Sequence, residues 1–240
     1  MRSTRWIELY VQRIIKTIDQ LLRKPEGASA ALRATGGMSV TDSLVVALPL
    51  AALYGIGIGI GADIKTALYD GVKLSLVLVA SAAICLPSFY VFSALAGARF
   101  AALEAARAVS GFILLTSIIW AALAPVTGFF TASVPSGAFL TVLHAAALLL
   151  GFAIGGLTLG RALVRPAPRS FEPGAKQETL ESASAGSEVA RVSRGFYVVW
   201  FAVYSVVVCQ LFVDFTPFIE TGPFLRPERV LFLDLLKRGF

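Results

Sequence analysis

The chain has 240 residues, 57% of them hydrophobic and 15% charged, with a formal net charge of +6. Soluble globular domains carry about 25% charged residues, so the composition excludes an ordinary water-soluble domain and points to lipid as the main solvent. The basic excess gathers in the segments between apolar stretches, where anionic headgroups account for it and no nucleic-acid partner is called for.

Residues 1–41 come first. Trp6, Ile7, Tyr10, Val11, Ile14, Ile18, Leu21 and Leu22 recur at helical spacing, with Arg5, Glu8, Arg13, Lys16, Arg23 and Lys24 on the other face. This pattern predicts an amphipathic helix over Thr4–Lys24, ended by Pro25 and followed by a Gly/Ala/Ser-containing linker. Such a helix lies in a headgroup layer or docks on a partner, with Trp6, Tyr10, Ile14, Leu21, Arg13 and Lys16 as the contact residues. No short basic region followed by an apolar core marks a cleavable signal, so the first span is expected to serve as an uncleaved anchor.

Five stretches then approach the roughly 20 apolar residues that a spanning helix needs: Ser43–Ala62, Leu74–Ala98, Ala108–Ala132, Gly137–Leu159 and Phe196–Asp214. Backbone groups in hydrocarbon must be paired internally, which leaves helices or closed barrels. Barrel strands alternate apolar and polar residues, whereas these segments are apolar on all faces. The expected fold is all-α: a polytopic bundle of five transmembrane helices preceded by the amphipathic helix, with four spans in residues 42–160 and the fifth in 196–214.

The first span ends in Gly55, Gly57, Gly59 and Gly61, two interleaved small-xxx-small pairs, and the fourth repeats the device at Gly151, Gly155, Gly156 and Gly160. Such strips bare the backbone and let a neighbouring helix come close. They predict that these two helices pack tightly on each other or across a dimer. Gly57-x-Gly59 lacks the Lys-Ser/Thr, preceding strand and polar flank of a phosphate loop. Pro49, Pro87 and Pro125 each remove a helical hydrogen bond, and the uncharged Ser133–Ser136 turn makes the third and fourth spans antiparallel neighbours.

Residues 161–195 are basic and rich in Pro, Ser, Ala and Glu, a flexible loop that cannot bury a core. Residues 215–240 form an aromatic tail closing in a short amphipathic helix over Pro227–Arg238. With 15 of the 21 Lys and Arg on one set of alternate sides and 6 on the other, the positive-inside rule puts the N-terminus in the cytoplasm and the C-terminus outside. The expected location is a bacterial inner (plasma) membrane, with anionic lipids at the cytoplasmic face as partners.

Ionisable groups within spans are default functional candidates. His144 sits deep in the fourth span and Gln210 and Asp214 toward the outer end of the fifth, while Lys65, Lys73 and Glu104 read as loop residues. One His and two separated Cys, Cys85 and Cys209, make no zinc site and no redox centre, so no metal and no cofactor is expected. No nucleophile elbow appears; a lipid-modifying site would need Ser88, Tyr90 and His144 together. The chain reads as a non-enzyme.

Ile84-Cys-Leu-Pro-Ser-Phe-Tyr-Val-Phe92 with Gly97, and Trp200, Tyr204, Gln210 and Pro217-Phe218, resemble motifs of a family of bacterial multi-pass membrane proteins. Those proteins are in outline similar to the Rab/Ypt-interacting membrane family, with a cytoplasmic N-terminus and five spans. Where they carry a Trp and an Arg before the Pro-Phe pair, this chain has Val213 and Thr216. The likeness covers about residues 74–218 without the loop, implies the five-span topology, and brings no catalytic residues. Taken together, these features suggest a membrane scaffold, anchor or accessory subunit of a larger assembly of protein subunits, because no polar pathway crosses the spans. The alternative is a small-solute or ion permease, as an oligomer or alone, lined by His144, Gln210 and the Pro87 and Pro125 positions.

Overall fold

The computed structural model describes residue 12 and residues 39–95, 101–164 and 194–215. The amphipathic segment carrying Trp6, Tyr10, Arg13, Ile14, Lys16 and Leu21, most of the 161–195 loop and the tail beyond Phe215 lie outside the described residues. Within them are five helices: α1 (Val40–Gly59), α2 (Ile64–Leu95), α3 (Ala102–Ser133), α4 (Gly137–Val164) and α5 (Arg194–Asp214). Each contains a stretch long and apolar enough to cross a membrane. The chain is an all-helical, multi-pass integral membrane protein.

Local chemistry fixes the helix starts. Ser39 caps α1 in a capping box: its hydroxyl accepts the Asp42 amide at 3.0 Å, and the Asp42 carboxylate accepts the Ser39 amide at 3.3 Å. Asp63 caps α2 by accepting the Thr66 amide, and this bonding holds its carboxyl below the usual aspartate range. At α3 the Glu104 carboxylate accepts the Ala101 amide at 3.1 Å. Pro49, Pro87 and Pro125 all sit inside helices.

Two boundaries differ from the sequence expectation. Helix α2 begins at Ile64, ten residues before Leu74, so Lys65 and Lys73 belong to a helix and not to a loop. Helix α3 begins at Ala102, which brings Glu104 and Arg107 into its first turns. The first difference has a clear cause. Lys73, which reads as a loop residue in the sequence, pairs with Asp70 one turn away, and both are buried.

The glycine strips explain the order of packing. Helix α1 lies between α2 and α3, α4 packs on α3, and α5 rests mainly on α2. A Cβ placed on Gly55 would meet the Asp70 carbonyl oxygen at 2.4 Å, and one on Gly59 would meet the Ala67 Cα at 2.6 Å, so this strip is pressed against the α2 backbone. The interleaved strip faces α3 instead: Gly57 lies over Ala124 and Gly128, and Gly61 against Thr131. On α4, Gly151 and Gly155 receive Trp120, Thr116 and Phe112 of α3, while Gly156 and Gly160 receive Phe201 and Tyr197 of α5. The strips of α1 and α4 therefore do not meet as the sequence suggested. Each is occupied by a different neighbour within one chain.

Helix α5 is held by rings. Phe152 stacks on Tyr204 with centroids 5.4 Å apart, Trp200 lies 4.6 Å from Phe89 of α2, and Phe112 meets Tyr204 edge-on at 5.5 Å. The polar tips are also engaged: Tyr204 and Ser81 share a hydrogen bond of 3.0 Å, Trp200 donates to the Cys85 carbonyl, and Tyr197 donates to the Gly156 carbonyl. Cys85 is one of the buried core residues beside these rings.

The two α1 strips predict opposite responses to one added methyl group. Gly55→Ala drives a Cβ into α2 backbone and is expected to destabilise the purified protein by about 1–3 kcal/mol, the usual cost of overpacking. Gly57→Ala meets nothing nearer than 3.6 Å and gains helix propensity of up to about 1 kcal/mol. Unfolding in detergent should separate the two variants; equal midpoints would contradict this packing.

Candidate functional site: a buried polar layer

The turns between α1 and α2 and between α3 and α4 lie at the same end of the bundle, because Gly61 contacts Thr131. Asp70 follows the start of α2 by six residues and His144 follows that of α4 by seven, which places both about 10 Å from that end at 1.5 Å per residue. They flank α1 on opposite sides.

His144 is 4% exposed. Its Nε2 lies 2.8 Å from Thr131 Oγ1 and its Nδ1 3.1 Å from Tyr54 Oη. The Thr131 hydroxyl donates to the Thr127 carbonyl at 2.8 Å. A hydroxyl has one hydrogen, so Thr131 accepts from His144, Nε2 carries the imidazole proton, and Nδ1 accepts the Tyr54 O–H. The result is a neutral imidazole with both nitrogens satisfied. The Tyr54 ring also meets that of Trp120, whose indole N–H donates to the Leu148 carbonyl at 3.1 Å. Three helices are thereby tied through one histidine.

The second group lies across α1. Asp70 is fully buried and Lys73 is 2% exposed, with the ammonium 3.5 Å from Asp70 Oδ1. Neither carboxylate oxygen has a hydrogen-bond donor among the described residues. Oδ2 lies against Gly59, where a Cβ would approach it to 2.8 Å. This is an ion pair in a dry setting with little else to solvate the anion, an arrangement that ordinarily costs stability.

The sequence expectation takes His144 as the one ionisable group deep in a span; the structure buries Asp70 and Lys73 in α2 as well, near the same end of the bundle. Lys73 reads as a loop residue because the second apolar run starts only at Leu74, and Asp70 lies ahead of that start too. A signal for them was present: Ala67, Asp70, Gly71, Leu74, Val77, Leu78 and Ser81 share one helical face, all buried. Gln210 and Asp214 are half-buried on α5, where the Gln210 amide donates to Asp214 at 3.1 Å; the hydrogen bonds of His144 go elsewhere. Ser88 donates to the Cys85 carbonyl about 36 Å along α2 from its start, so the structure does not bring Ser88 and Tyr90 to His144.

Helix α3 extends the polar character inward. Its buried face carries Ser110, Thr116, Ser117, Thr127 and Thr131, a run of about 30 Å at 1.5 Å per residue. Three of these back-bond to carbonyls of their own helix, but Thr116 and Ser117, like Ser43 of α1, have no partner among the described residues. Compared with protein-family models, curated proteins and solved structures, the chain matches none.

The ion pair predicts strong coupling between its members. Asp70→Asn removes the carboxylate beside a buried ammonium and is expected to cost about 3–5 kcal/mol, whereas Asp70→Asn with Lys73→Gln removes both charges and recovers most of that loss. A double-mutant cycle on unfolding in detergent measures this; additive losses would mean that the two side chains do not interact.

Proposed function

We propose that this chain is a non-enzymatic small-solute or ion permease whose working groups are the Asp70–Lys73 pair and the Tyr54–His144–Thr131 chain. The observation that carries this reading is the pair itself: two opposite charges, both buried, inside a helix that crosses the membrane. Ionisable residues are retained at such positions chiefly where ions, protons or polar solutes move. The interior hydroxyls of α3 support it, because they continue the polar character from the His144 layer toward the other end of the bundle. The sequence alone favoured a scaffold for want of any polar pathway; the placement of Asp70 and Lys73 in α2 removes that reason.

A second reading is the scaffold, anchor or accessory subunit. It draws on the closure of the His144 hydrogen bonds and on the use of every glycine strip inside the bundle, features suited to a static anchor. The outline resemblance to five-span membrane proteins of the Rab/Ypt-interacting kind also favours it, as do the basic segments suited to anionic lipid. In both readings the setting is a bacterial inner membrane with the N-terminus in the cytoplasm.

Flux into liposomes separates the two. The purified protein should carry protons, monovalent ions or a small polar solute down a gradient. Flux should fall at least tenfold in the Asp70→Asn/Lys73→Gln protein and be reduced in His144→Ala. No flux for any of these, together with a stoichiometric partner chain on gentle extraction from native membrane, would establish the scaffold instead.

A further inference from the structure

We propose that the Asp70 carboxyl is a proton-binding site, passing within the packed bundle between the ion pair with Lys73 and the neutral acid, and that a proton is the ion coupled to solute movement; that consequence rests on the permease reading, while the site itself does not. An ionised carboxylate accepts hydrogen bonds at both oxygens and donates none. Asp70 is fully buried, and neither oxygen receives a donor among the described residues. Its counter-charge among the described residues, Lys73, stands 3.5 Å from Oδ1. Oδ2 is turned to the last turn of α1, against Gly59.

That wall disfavours an anion for a second reason. The C-terminal turn of a helix presents unpaired carbonyls and the negative end of its dipole. Of the α1 carbonyls, that of Gly59 accepts the Ala62 amide. A carboxylic acid converts one acceptor oxygen into an O–H donor, which suits a surface made of carbonyls. The balance is simple: a proton from water on one side joins the carboxylate, one O–H bond forms, and release to the other side regenerates the anion.

The charged and titratable groups around Asp70 leave it this role. Helix α1 faces it with Gly55 and Gly59. On α2 itself, Lys73 is its partner, and Lys65 lies over the Tyr69 ring at 5.6 Å. On α3, Glu104 and Arg107 stand in the first two turns at the far end of the bundle. On α4, His144 is held by Tyr54 and Thr131. On α5, Tyr204 bonds Ser81, Asp214 bonds Gln210, and Tyr197 bonds the Gly156 carbonyl. A metal cation would need several oxygen ligands, but among the described residues no three His, Cys, Asp or Glu side chains come together.

Infrared spectroscopy of the full-length protein in lipid vesicles tests this directly, because a protonated carboxyl has its own C=O stretch, shifted in deuterated water. The wild-type protein should show this band near neutral pH and lose it as the buffer is made alkaline, across about pH 5–10. Asp70→Asn/Lys73→Gln, which stays neutral, should lack it. In Lys73→Gln the proton is the sole counter-charge, so the band should persist to more alkaline buffer than in wild type. Identical carboxylic-acid regions in wild type and the double variant would overturn the proposal, as would a band indifferent to Lys73. A band that behaves as stated without any liposome flux would keep the proton site and remove the permease reading; flux without the band would do the reverse.

Discussion

Helices in hydrocarbon gain nothing by hiding apolar side chains from one another, so the distance at which their backbones meet decides how they associate. In this bundle that distance is set in the last turns of α1. Gly55 and Gly59 bring the α2 backbone so near that no Cβ fits between them, while Gly57 and Gly61 turn the opposite face to α3. Both polar groups follow from this. The close approach of α2 shuts Asp70 and Lys73 away from solvent, and the seating of α3 beside α1 brings Tyr54 and Thr131 to opposite edges of the same imidazole. Widening either contact would admit water to charges that are otherwise paired dry.

Helix α4 uses glycine differently. Its strips receive aromatic side chains and not another backbone: Trp120 and Phe112 on one side, Phe201 and Tyr197 on the other. Aromatic rings carry large contact area at the cost of few rotatable bonds, and Tyr and Trp add a polar tip that must find a partner in lipid. Those tips reach the Leu148, Gly156 and Cys85 carbonyls. A helix carbonyl retains a lone pair beyond its ladder bond, so these contacts satisfy the side chain without unwinding any helix. Helix α5, the least enclosed of the spans, is attached in this way.

Much of the architecture was legible in the sequence because membrane insertion imposes one simple requirement: long runs of apolar residues closed by their own backbone bonds. The five spans and the turn at Ser133–Ser136 could both be read that way. What could not be read was partner choice. Gly55 and Gly57 look alike in sequence, yet one faces α2 and the other α3, because consecutive i, i+4 strips are rotated about 200° for each two-residue step. The site was half legible. His144 stands out as the lone ionisable residue in an apolar run, whereas Lys73 reads as a loop residue and nothing singles out Asp70. Reading the face through Ala67, Leu74, Val77 and Ser81, rather than the charge count, would have placed them inside α2.

The pair has no evident structural task that an apolar pair would not perform. Exchanging a buried ion pair for well-packed hydrophobic residues is commonly neutral or stabilising, so stability does not account for Asp70 and Lys73. Register does not either: α2 is fixed against α1 by backbone contacts at Gly55 and Gly59, which involve the Asp70 main chain whatever side chain it bears. Nor does insertion favour them, since a charge makes a helix more costly to place in hydrocarbon. Under the permease reading, what Asp70 and Lys73 add to α2 is the capacity to change charge, and among the described residues the carboxylate has a single counter-ion and no hydrogen-bond donor. A protein whose role was confined to packing in lipid would gain from losing both.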